Sequence, residues 1–182
     1  NLTIYDVAAS NTAPVSHPGT VTSYQLYTGG PTYSVQSLAG GNLSSDLEAD
    51  PLTNPLGVYQ VSGTLYVQDN VSVEGTIITT GSSSDLEIIG DNITLSPVSL
   101  PELYGSFQTV ELPAAIVGDD IRVGDVQSGN LRGAILATDK FVFASGGQDA
   151  SCTISGMLVA GEFKTEDRTE RARMTSAKRE RR

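Results

Sequence analysis

Four eight-residue stretches of this chain follow one pattern, and that pattern limits the folds open to it. They are YVQDNVSV (66–73), IIGDNITL (88–95), IVGDDIRV (116–123) and LATDKFVF (136–143). Each has apolar residues at the first, sixth and eighth positions and Asp at the fourth, followed by Asn, Asp or Lys. The aspartates are Asp69, Asp91, Asp119 and Asp139, at intervals of 22, 28 and 20 residues. VAGEFKT (159–165) is a degenerate fifth copy, with Glu162 replacing the polar pair. A second repeat interleaves with the first: VSGTLYV, VEGTIIT, LRGAILA and ISGMLVA place Gly63, Gly75, Gly133 and Gly156 between apolar pairs.

Short alternations of apolar and polar residues mark half-buried strands. Asp and Asn close turns through hydrogen bonds to nearby backbone, and Gly supplies positive φ or room for a close neighbour. Strands of this length, recurring every 20 to 28 residues with the same corner residues, are expected of a solenoid whose coils stack on one another. An antiparallel sandwich also has short strands but no reason to repeat one corner residue at that interval. The expected fold is therefore all-β, a right-handed parallel β-helix over residues 57–163. Residues 1–56 are expected to form an irregular cap and 164–182 a charged tail, helix-prone or disordered. SYQLYTGGPTYSV (23–35) reads as an aromatic-rich hairpin within that cap. The proline-bearing stretch 96–113 and the polar stretch 79–85 read as loops thrown out from corners.

Charge divides along the chain. Residues 1–161 hold sixteen acids against Arg122, Arg132 and Lys140, whereas 162–182 hold eight bases against five acids. So acidic a body repels phosphate backbones, which argues against nucleic acid as a partner. No apolar run reaches membrane-spanning length, so no membrane contact by this segment is expected. Cys152 is the single cysteine, which excludes an intrachain disulfide and fits a small hydrophobe in a strand. The chain opens on Asn1 rather than Met, as a processed product or excised segment would.

AIVGDDIRVGD (115–125) is the densest polar cluster. Asp119 belongs to the expected turn ladder of Asp69, Asp91, Asp119 and Asp139, a structural role. Asp119, Asp120 and Asp125 are the candidate cation or polar site, because stacked carboxylates repel unless a cation lies between them. Calcium is the ion considered, although EF-hand and glycine-rich nonapeptide signatures are absent; no other cofactor is implied. Arg122 alternates with Ile121 and Val123 and is expected to face solvent. No catalytic residues are assigned. A sugar-cleaving site needs carboxylates converging in a groove with basic or aromatic partners, and these acids run along a corner. His17, the only histidine, sits beside Pro18 and reads as a loop residue; zinc has no ligand set. Tyr24, Tyr27 and Tyr33 are candidate ligand-stacking residues, with packing of the cap as their more ordinary use. The sequons at Asn1, Asn42, Asn70 and Asn92 are possible glycan acceptors, though turn chemistry alone accounts for Asn70 and Asn92.

GGPTYSV (29–35), DPLTNPLGVY (50–59), DNVSVEGTII (69–78), LPAAIVGDDIRV (112–123) and ISGMLVAGEF (154–163) together resemble the β-helical regions of PilX-type, type IV pilus-associated bacterial envelope proteins. The resemblance implies a non-enzymatic structural, display or adhesive module, extracellular or in the cell envelope. Its partners would be other envelope or pilus proteins and, in an adhesive role, polysaccharide. It also implies a hydrophobic pilin-type N-terminal helix, which this sequence does not contain. The alternative from another class is a polysaccharide-binding or polysaccharide-degrading β-helix using Asp119, Asp120 and Asp125 with Arg122, or the tyrosine strip.

Overall fold

The computed structural model describes residues 19–26, 29–100, 110–124, 126–145 and 151–167. Among these there are sixteen strands and no helix. The chain enters through a hairpin, β1 (Ser23–Gln25) and β2 (Thr32–Ser34), paired antiparallel as the aromatic stretch predicts. It then winds through β3 (Gln36–Leu43), β4 (Val58–Val67), β5 (Ser72–Glu74), β6 (Thr76–Thr80), β7 (Leu86–Ile88) and β8 (Ile93–Ser96). A short antiparallel pair, β9 (Ser99–Leu100) and β10 (Val110–Glu111), forms the base of an excursion. The winding resumes with β11 (Ala115–Val117), β12 (Ile121–Gly124), β13 (Gly129–Ala137), β14 (Lys140–Ser145), β15 (Cys152–Val159) and β16 (Glu162–Asp167).

The register of the parallel pairs resolves this winding into a β-solenoid of about five turns with three faces. On the first face Tyr59 lies beside Ile77, Ile77 beside Ala115, Ala115 beside Ile135, and Ile135 beside Leu158. On the second, the column runs Leu65, Leu86, Ile121, Phe141 and Phe163. On the third it runs Val73, Leu95, Leu131 and Ile154. Side chains one residue along point outward, which is the period-two alternation read from the sequence. Of the inward residues, Tyr59, Val61, Val67, Val73, Ile77, Leu86, Ile88, Ile121, Val123 and Leu131 have no exposed surface. Each such side chain contributes on the order of 1.5–3 kcal/mol by leaving water.

The solenoid extends past both expected boundaries. β3 already lies beside β4 on the first and second faces, so winding begins at Gln36 rather than at 57. β16 continues the second face to Asp167. Residues 168–182, expected to be helix-prone or disordered, lie outside the described residues. The N-terminal segment covers a side of the solenoid. Tyr24, Val35, Leu56, Val58, Ile78 and Leu112 form a second apolar cluster on the outer surface of the first face. Val58 and Ile78 are the outward residues next to inward Tyr59 and Ile77, so the first face is apolar on both sides and needs that cover. At the last coil Met157, Val159 and Phe163 are exposed, and Phe163 rests against Phe141 with ring centroids 6.4 Å apart.

Candidate functional site

Three corners join the faces, and each has its own chemistry. The corner from first to second face holds the cluster that the sequence singled out. The residue just before each inward residue of the second face is Thr64, Asp85, Asp120, Lys140 or Glu162. The side-chain oxygens of this column tie one coil to the next. Thr64 Oγ1 accepts the Asp85 amide at 3.4 Å, Asp85 Oδ1 accepts the Asp120 amide at 3.1 Å, and Asp120 Oδ1 accepts the Lys140 amide at 3.1 Å. In return the Asp120 carbonyl accepts the Leu86 amide at 3.0 Å. Asp120 is only 8 % exposed, so its charge needs partners. Arg122 Nη2 lies 3.6 Å and Lys140 Nζ 3.8 Å from its carboxylate oxygens.

Asp119 and Asp139 sit one step earlier on the same corner, joined by a backbone bond from the Asp139 amide to the Asp119 carbonyl at 3.2 Å. Carboxylate oxygens of Asp119, Asp120 and Asp139 lie within 4.8 Å of one another. Burial, and then repulsion from Asp85, Asp120 and Asp139, push the Asp119 carboxyl above the usual range, with Lys140 opposing. The Lys140 ammonium donates to Asp139 and is itself held protonated, first by that bond and then by the charges of Asp120, Asp139 and Glu162. A cation thus already stands among these acids, as a side chain of the chain itself. Asp125, the third member of the expected cation site, lies outside the described residues; Asp139 stands with Asp119 and Asp120 instead. Arg122 does face outward, and it also reaches Glu166 at 4.0 Å.

The corner from second to third face holds Asp69 and Asp91. Asp69 Oδ1 accepts the Asp91 amide at 2.8 Å and Asp91 Oδ1 accepts the amide of Gln127 at 2.7 Å. Beside them Asn92 Nδ2 donates to Asn70 Oδ1 at 3.1 Å, and both asparagines have left-handed φ, 59° and 56°. Asn tolerates that conformation better than other side-chain-bearing residues do, which accounts for two of the sequons. Asp46 begins this corner, accepting the Ser72 amide at 2.7 Å.

The expected single ladder of Asp69, Asp91, Asp119 and Asp139 is therefore two ladders on different corners. Each coil contains three similar strand–turn–strand passages, so an eight-residue window matches more than one corner. The 28-residue interval is where the alignment slips from one to the other. The glycine repeat slips in the same way. Gly63 lies on the first corner, whereas Gly75, Gly133 and Gly156 lie on the third. There backbones touch: a Cβ on Gly75 would fall 2.0 Å from the Gly57 carbonyl oxygen, and one on Gly156 2.1 Å from that of Gly133.

Of the tyrosine strip, Tyr24 is committed to packing. Tyr24 is 3 % exposed, donates to Asn54 Oδ1 at 2.8 Å and accepts the Leu56 amide at 3.0 Å. Burial pushes its phenol up to about 12. Tyr33 packs against it, centroids 5.6 Å apart; Tyr27 lies outside the described residues. The Tyr24 ring, sealed between hairpin and solenoid, is inaccessible to a sugar. Cys152 is half-buried against the core, and burial pushes its thiol up, away from nucleophilic thiolate character. His17 and Asn1 lie outside the described residues, and Asn42 sits in β3.

The stretch 79–85 is a tight corner rather than a projecting loop. Thr79, fully buried, donates from its hydroxyl to the Ser84 carbonyl at 2.7 Å and accepts the Gly118 amide at 3.0 Å. Of the stretch 96–113, residues 101–109 lie outside the described residues; its described ends leave the third corner and pair with each other as β9 and β10. Comparison with protein-family models, with curated proteins and with solved structures gives no match for this chain.

Sequence reasoning missed Asp85, Thr79 and Ser84. A signal for Asp85 was present: TLYV, DLEI, DIRV, KFVF and EFKT all place a polar residue before apolar-x-(apolar or Thr). Reading from that residue, rather than from the aspartate at the fourth position, yields the first corner without slippage.

Proposed function

We propose that this chain is a non-enzymatic structural, display or adhesive module of a bacterial cell-surface or pilus-associated protein. One observation carries the reading. Asp85 and Asp120, the acids best placed for chemistry, each hold a backbone amide of the next coil, and Asp120 also faces two cations. A general acid or base must be free to reach a substrate proton. Carboxylates committed to the ladder instead make the corner a stiff seam along the solenoid axis. Three parallel sheet faces sharing one apolar core give a rod, the shape suited to holding loops away from a surface. The resemblance to PilX-type envelope proteins points the same way, and the partners it implies are other envelope or pilus proteins.

The test is labelling of intact bacterial cells that make the native protein with antibodies against residues 19–167. Label on unpermeabilised cells, or on sheared pili, supports the reading. Label that appears only after lysis contradicts it.

A further inference from the structure

The third corner carries a groove that none of the ladders uses. It has a volume of about 530 Å³ and forms where the stretch after β8 leaves the solenoid. Its floor is a column of outward residues, one per coil: Glu74, Ser96, Arg132 and Ser155. Four rungs about 4.8 Å apart make this floor about 14 Å long. Beside it lie Gly133, against which the ring of Pro97 packs, and Gly156, whose backbone rests on that of Gly133. Ser99 and Glu111, at the base of the excursion, line the groove, with the Ser99 hydroxyl donating to Glu111 Oε1 at 2.8 Å.

We propose that this groove binds a neutral, hydroxyl-rich oligosaccharide laid along the solenoid axis. Charge selects the ligand class first. Two carboxylates against one guanidinium disfavour polyanions such as nucleic acids and polyuronates. Among the described residues, the apolar side chains lining it are Pro97 and Val98, too little to anchor the side chains of a peptide or a lipid chain. What remains is a row of planar and hydroxyl groups spaced for hydrogen bonding. Each carboxylate can accept from two neighbouring hydroxyls, and the guanidinium donates in a fixed fork. Glu74 and Arg132 stand two rungs apart, roughly 10 Å, so they do not neutralise each other. Among the described residues Arg132 makes no ion pair. A pyranose extends about as far as one rung, so three units match the floor.

This inference does not depend on the display reading, and a failed sugar screen leaves that reading standing. The test is calorimetric titration of residues 1–182 with mono- to hexasaccharides of neutral hexoses, of N-acetylhexosamines and of uronates. We expect a neutral or N-acetylated series to bind, with affinity rising to the trisaccharide and then levelling. Arg132→Ala and Glu74→Gln are each expected to weaken it at least tenfold. Both side chains are exposed, so melting temperatures should stay unchanged. Glu87→Gln, outward on the second face, should bind as the parent does. Absence of binding across the neutral series at millimolar sugar overturns the proposal. So does binding of uronates alone, or binding that survives both groove substitutions.

Discussion

The two acidic corners use the same bond for the same purpose but place it in different surroundings. At the second-to-third corner, Asp69 accepts an amide of the next coil from an exposed position and Asp91 from a half-buried one, both bonds lying open to solvent. At the first-to-second corner, Asp120 makes the equivalent bond while only 8 % exposed, with Arg122 and Lys140 beside it. Water can replace the first kind of bond and cannot easily replace the second. A run of aspartates in a solenoid is therefore not one feature. Its members differ in how much of the fold depends on them, and burial decides the order.

Paired substitutions at the two corners test this, and glycines should show the largest effects. A Cβ on Gly90 would meet the Asp69 amide nitrogen at 2.2 Å, and one on Gly118 the Gly81 carbonyl oxygen at 2.5 Å. Backbone cannot move aside as a side chain can, so Gly90→Ala and Gly118→Ala should each cost about 3 kcal/mol or more in chemical denaturation. If either is neutral, coils at that corner are not in contact.

Next come the acids themselves. Asp120→Ala leaves the part-buried Lys140 amide without its acceptor and takes one of two carboxylate partners from both Arg122 and Lys140; it should cost about 2–3 kcal/mol, whereas Asp91→Ala should cost about 1 kcal/mol. Equal costs would erase the distinction between the corners. Tyr24→Phe gives a reference away from both. It leaves Asn54 Oδ1 and the Leu56 amide without the phenol, for about 1–3 kcal/mol by the same measure.

The smallest effects concern charge. Asp119 is held above the usual carboxylate range by burial and neighbouring acids, so its ionisation disfavours the folded chain at neutral pH. Lowering the pH through that range relieves the penalty. Asp119→Asn should therefore raise the melting temperature slightly at neutral pH, with the gain vanishing as the pH falls to the ordinary aspartate range. Millimolar calcium or a chelator should leave the parent's melting temperature unchanged, because Lys140 already supplies the positive charge. A rise with calcium would restore the metal reading of Asp119, Asp120 and Asp139.

Much of the architecture was legible because alternation and corner residues are local. LYV, LEI and IRV announce inward–outward–inward strands, and Gly75 or Asn70 announces a turn wherever it stands. The stacking order was not local. Whether Asp91 lies above Asp69 or below Asp119 depends on how many corners the intervening chain turns, and the excursion between Ser96 and Ala114 hides one. The hairpin was readable from its aromatic strands, yet its place was not. Nothing in SYQ or TYS says that Tyr24 will seal the outside of the first face by bonding Asn54, thirty residues away. The groove at the third corner was invisible for a similar reason. Glu74, Ser96, Arg132 and Ser155 become neighbours only once the coils are in register.

The central claim is that Asp120, and not Asp119, ties successive coils through its side chain. Amide hydrogen exchange at Lys140, followed by NMR in the parent and in two variants, tests it most directly. Protection of the Lys140 amide should fall sharply in Asp120→Ala and persist in Asp119→Ala, where the bond between the Asp139 amide and the carbonyl of residue 119 is retained. Protection that is lost in Asp119→Ala but kept in Asp120→Ala would contradict the two-ladder account.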